Sequence, residues 1–165
     1  MLNDKKLLYA GAIVLGMNDA LVELTGTLSG IALAFDKSLV VGLTGLIMGI
    51  AASLSMAGSA YLEAKENPSE DINPLIYSLY TGVSYILTTA ILVVPFFIFD
   101  SMIESLIMMF IGAFIAILSY NFYISVAKDL SFTKRVLQMS AITFGVAIIS
   151  FMIGCLVKYY FGLEI

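Results

Sequence analysis

The sequence predicts an all-α integral membrane protein: five transmembrane helices forming a single domain over residues 1–165. Composition is the first ground. Apolar residues make up 61% of the chain and charged residues 12%, with a mean hydropathy of +1.02, whereas ordinary soluble domains carry about 25% charged residues. The second is length of run. The apolar residues are gathered into stretches long enough to cross a hydrocarbon core, which takes about 20 residues of helix. The third is the lack of any period-two alternation long enough for a membrane β-barrel. At about 20 residues per span the chain has room for at most six or so helices, and no soluble catalytic domain fits beside them.

Breaks in hydropathy place the spans at about 7–35, 39–62, 75–99, 102–127 and 136–161. Asp36-Lys37-Ser38 makes a tight turn between the first two. Span two ends in the polar run Glu63-Ala64-Lys65-Glu66. A connector over 67–74 follows, holding Pro68 and Pro74, which cannot continue a helix. Pro95, late in span three, removes a backbone donor and predicts a kink.

Five spans put the termini on opposite sides, and the distribution of basic residues chooses between the two orientations. With the N-terminus cytoplasmic, the inner segments hold Lys5, Lys6, Lys65, Lys128, Lys134 and Arg135, against Lys37 and Lys158 outside. Six against two gives N-in, C-out. The acidic group Glu63, Glu66, Glu70 and Asp71 then lies at or just beyond the cytoplasmic end of span two.

Small residues crowd spans one and two. Gly26 and Gly30 form one GxxxG pair, and Gly45 and Gly49 another. Such faces allow close backbone approach, which drives helix association in lipid. They suggest that the two spans pack together or meet across a dimer interface.

Several function classes are excluded or disfavoured. The chain has no His, so imidazole metal sites and His general bases are impossible. Its one cysteine, Cys155, can build neither an intramolecular disulfide nor a thiolate cluster. With no phosphate-cradling glycine loop either, an enzyme is not expected, and neither is a bound cofactor. No polybasic stretch exists, so nucleic acid is not an expected partner. The first apolar run is too long for a cleaved signal and should stay in the mature protein.

The informative residues lie inside span one. Asp19 and Glu23 are four apart, which puts both carboxylates on one helix face. An acid near the bilayer centre costs about 2.5–3.5 kcal/mol on insertion scales, a cost normally met only in a protein interior or a water-filled path. The pair has three readings: cation ligand, proton shuttle, or a polar contact that glues helices together. Asn18 adds a neutral oxygen but points about 100° away from Asp19 around the helix. In span two, Met56 lies two turns before Glu63 on one face. Methionine is commonly core filler, yet a thioether beside carboxylates favours a transition metal over Mg²⁺ or Ca²⁺. Glu63 and Glu66, three apart, are able to share an ion at the inner mouth or to form an ordinary solvated helix end.

Two stretches carry a family resemblance. Asn18-Asp19-Ala20-Leu21-Val22-Glu23-Leu24-Thr25-Gly26 is similar to the first-helix motif of the vacuolar iron transporter family, and Ser55-Met56-Ala57-Gly58-Ser59-Ala60-Tyr61-Leu62-Glu63-Ala64-Lys65 resembles its second-helix signature. Thr81-Gly82-Val83-Ser84-Tyr85 with Val94-Pro95-Phe96 is similar to its third helix. The resemblance implies a five-helix protomer in a homodimer that moves Fe²⁺ and related divalent ions out of the cytosol against protons. It matches Asp19 to the intramembrane Asp and Met56 to the second-helix Met. Glu23 is outside the general pattern. Iron-transporting members also carry a cytosolic insert rich in Glu and Met between helices two and three, and here only the short connector stands in its place.

The expected function is therefore a proton-coupled exporter of a divalent transition metal, iron or manganese in type, with Asp19, Glu23, Met56, Glu63 and Glu66 as metal residues. Compactness without a targeting segment points to a prokaryotic cell membrane. The competing reading is a non-transporting scaffold or accessory subunit with a structural acidic pair.

Overall fold

A computed structural model describes residues 4–35, 37–66, 72–128 and 130–161. Asp36 of the expected turn and residues 67–71 of the connector, including Glu70 and Asp71, lie outside the described residues, as do the side chains of Lys5, Lys6 and Lys128. The described chain is all helix with no strand: α1 Asp4–Ile31, α2 Ser38–Glu66, α3 Pro74–Val93, α4 Pro95–Ile98, α5 Met102–Lys128 and α6 Phe132–Phe161.

Among the described residues, four segments are long and apolar enough to cross a membrane: Ser38–Glu66, Pro74–Ile98, Met102–Val126 and Phe132–Tyr160. The first helix is as long, at 28 residues, and carries Asn18, Asp19 and Glu23 in its middle.

Spans two to four match their helices within a few residues. Span five starts earlier than hydropathy suggests, because polar Thr133, Lys134 and Arg135 extend α6 back to Phe132. Part of the 67–74 connector is already helix entrance. Asn73 caps α3, its side-chain oxygen accepting from Leu75 N at 3.0 Å and Ile76 N at 3.4 Å. Pro74 takes the first helical position, where its missing N–H is no loss. At Pro95 the ladder of backbone hydrogen bonds is interrupted for want of a donor, while Val94 keeps helical backbone angles and the span continues as the single turn α4.

That interruption is secured by hydroxyls. Ser38, at the start of α2, donates to Phe96 O at 3.1 Å and lies 2.6 Å from Ser105 Oγ of α5. Ser105 Oγ is also within reach of the Pro95, Phe99 and Ser101 carbonyls, at 3.3, 3.2 and 3.1 Å. Both serines are buried. Ser105→Ala is expected to cost about 1–3 kcal/mol, the range for leaving buried polar groups unsatisfied. A thermal-unfolding series in detergent, with Ser119→Ala as the exposed control, would register it.

Contacts between named residues fix the topology. Tyr9 Oη accepts from Asn73 N at 2.9 Å, Gly16 of α1 abuts Thr81 of α3, and Tyr85 meets Glu23, so α1 and α3 run parallel. Gly26 and Gly30 face Val146 and Ser150, so α6 runs parallel to them. The second helix is antiparallel, with Gly42 against Phe96, Gly49 against Thr89, and Ser53 and Ala57 against Gly82. The fifth is antiparallel too, since Asn121 reaches Met139 and Arg135 of α6 while Phe110 and Phe114 meet Phe144. The start of α1 and the end of α6 consequently lie at opposite ends of the bundle.

The core runs along α1. Leu21, Leu24 and Leu28 are fully buried and pack with Val41, Tyr85, Leu92, Phe96, Met109 and Ile117. The two GxxxG faces do not meet each other. Gly26 and Gly30 serve the α1–α6 crossing, where Gly154 closes against the Gly30 carbonyl, while Gly45 and Gly49 seat α2 on Leu28, Val93 and Thr89. Small residues let backbones approach, as expected, but each stripe found a different partner helix.

Candidate functional site

Asp19 and Glu23 sit one turn apart on the face of α1 between α2 and α3. Gly16, one turn before Asp19, sets how closely α1 approaches α3. A Cβ there would overlap the Thr81 carbonyl oxygen and Ser84 Oγ. That close approach brings Tyr85, 0% exposed, within hydrogen-bonding distance of Glu23, and its hydroxyl donates to Glu23 Oε2 at 2.7 Å.

Two open clefts meet at Asp19. One, of about 480 Å³, is lined by Asp19, Glu23, Met48, Ala51, Ala52, Ser55 and Met56. The other, of about 440 Å³, is lined by Gly11, Val14, Leu15, Asn18, Asp19, Val22, Glu63 and Tyr77. Asp19 borders both, while Glu23 and Met56 border only the first and Glu63 only the second. Glu66 lines neither; it is exposed at the last residue of α2. Thus the structure gathers Asp19, Glu23 and Met56 in one place, joins Glu63 to them through Asp19, and leaves Glu66 apart.

The donor set is mixed. Among the described residues no three His, Cys, Asp or Glu side chains converge in a way that would hold a metal ion. The larger cleft offers two carboxylates, two thioethers and the Ser55 hydroxyl. Two carboxylates and one hydroxyl fall short of the six to eight oxygens that a Ca²⁺ site takes. Thioether sulfur suits softer transition ions. Asn18 Oδ1 is buried without a hydrogen-bond partner among the described residues. Buried polar atoms are ordinarily satisfied, so this oxygen is available to a guest of the cleft beside Glu63.

Sequence reasoning passed over Met48 and Tyr85 as site residues. Met48 had a signal, since it lies eight residues before Met56 and so close to the same helix face. Tyr85 had none in linear spacing, being 62 residues from Glu23. Only the α1–α3 contact joins them.

Four apolar spans surrounding a helix with a carboxylate-and-thioether cleft define a multi-pass membrane protein whose polar chemistry lies in its apolar body. The first two helices then point to its kind. Residues 10–68 match the model of the VIT family, the segment that carries the motifs around Asp19 and Met56. That match points to membrane transport of metal ions. No curated protein matches the chain.

Proposed function

We propose that this protein exports a divalent transition metal, iron or manganese in type, from the cytosol in exchange for protons. The observation that carries the reading is Asp19 bordering both clefts, so that one carboxylate links a cleft containing Glu63 to a cleft containing Glu23, Met48 and Met56. In this scheme α1 is the fifth membrane-spanning helix, its acids tolerated because they face clefts rather than lipid. The N-terminus is cytoplasmic, following the basic residues. Metal enters by Glu63, with Glu66 collecting at the mouth, and moves to the site of Asp19, Glu23 and Met56. Protonation of the acids weakens their hold on a cation, so protons arriving from outside exchange for metal.

The reading includes a homodimer in a prokaryotic cell membrane. Support for the dimer comes from ligand number, since two carboxylates per cleft are few for a divalent ion and a second copy would double them. The exposed small residues Ala51, Ser55, Gly58 and Ser59 of α2 would allow such an approach. The rival scaffold reading treats the acidic pair as structural. Against it stands the openness of both clefts, since helix glue belongs in a closed contact.

Purified protein in proteoliposomes tests the proposal against a panel of Fe²⁺, Mn²⁺, Co²⁺, Zn²⁺ and Ca²⁺, with and without a pH difference. Uptake of Fe²⁺ or Mn²⁺ driven by the pH difference, with Ca²⁺ excluded, is expected. No metal flux under any gradient would leave the scaffold reading standing.

A further inference from the structure

We propose that Tyr85 is a positioning residue for the metal site: it holds Glu23 through Oε2 and leaves Oε1 as the oxygen that Glu23 offers to the cleft. This inference rests on the transport reading of Asp19 and Glu23.

The geometry is specific. The Tyr85 hydroxyl lies 2.7 Å from Glu23 Oε2, the length of a strong O–H···O⁻ contact. A carboxylate accepts at about four lone-pair positions spread over two oxygens, so one donor on Oε2 orients the group without filling it. The tyrosine ring is fully buried in the apolar core that also holds Leu21, Leu24 and Leu92. A ring packed at interior density does not swing aside, so the donor is fixed in space. A free glutamate has three side-chain torsions to order before it binds anything; here the anchored Tyr85 has ordered them beforehand. Gly16 supports the arrangement by keeping α3 against α1 one to two turns away.

Outer partners of this kind orient metal ligands, and their loss typically lowers metal affinity about 10–100-fold. Tyr85→Phe keeps the ring and removes only the donor, so it isolates the effect. Mn²⁺ titrations of the purified full-length protein by calorimetry would compare wild type, Tyr85→Phe, Glu23→Gln and the double variant. The expected result is an affinity about 10–100-fold weaker for Tyr85→Phe, with the double variant no weaker than Glu23→Gln alone, because Tyr85 acts through Glu23. A Tyr85→Phe affinity within about twofold of wild type overturns the proposal, and so do fully additive losses in the double variant. If wild type binds neither Mn²⁺ nor, under anaerobic conditions, Fe²⁺, the transport reading itself fails, which is a separate outcome. Should Tyr85→Phe not fold, infrared difference spectra of wild type and Glu23→Gln, each carrying ring-deuterated tyrosine, decide the matter. Mn²⁺ is expected to shift a tyrosine C–O band in wild type and not in Glu23→Gln; no shift in wild type overturns the proposal.

Discussion

Asp19→Asn is expected to abolish metal-dependent flux while leaving a folded, membrane-inserted protein. The substitution keeps size and hydrogen-bonding capacity but removes the charge that borders both clefts. Neutralising Glu63 or Glu23 touches one cleft each, so a partial loss is expected from either. Asp19 has no such redundancy. Asn is polar but uncharged, so the change also removes the charged part of the cost of holding α1 in the membrane. Thermal stability should therefore hold or rise as transport disappears, and that opposite movement is what separates a functional acid from structural glue. Efflux of Mn²⁺ from loaded cells, read beside a melting curve of the purified variant, provides both quantities. A variant that loses stability and flux together would favour the scaffold reading.

Gly16→Ala is expected to be among the most damaging glycine-to-alanine changes at the described positions. The added Cβ collides with the Thr81 carbonyl oxygen and Ser84 Oγ. A side chain at such a point can rotate away, but a backbone carbonyl inside a helix cannot. Overpacking commonly costs about 1–3 kcal/mol, and this case belongs at or above the upper end because α1 must separate from α3 to relieve it. That separation also pulls Glu23 away from Tyr85. Gly11 and Gly145 have open space where a Cβ would go, so Gly11→Ala and Gly145→Ala serve as controls and should be nearly silent. Fluorescence-detected size exclusion of the three variants would rank them; a monodisperse, wild-type-like peak for Gly16→Ala would contradict the packing argument.

Much of the fold was legible in the residues. Hydropathy located the long helices because lipid-spanning runs are set by length and composition alone. It was blunter at their ends, where Asn73, Pro74 and Thr133 extend helices with polar residues that a hydropathy break reads as loop. Packing partners were not legible. Gly26, Gly30, Gly45 and Gly49 announce close contact but not with whom, and that choice belongs to the three-dimensional arrangement of α3 and α6. At the site, spacing alone placed Asp19 with Glu23, and Met56 with Glu63, because i, i+4 and i, i+7 are properties of one helix. It did not reveal that Met56 and Glu63 border different clefts, nor that Tyr85 crosses from another helix to Glu23.

The carboxylate shared between the two clefts has an arithmetical consequence. In the proposed transport scheme, divalent ions on either side of that one side chain would repel each other. The two clefts would then be mutually exclusive tenants of the same acid, and cargo would pass in single file, each ion waiting for the last to leave.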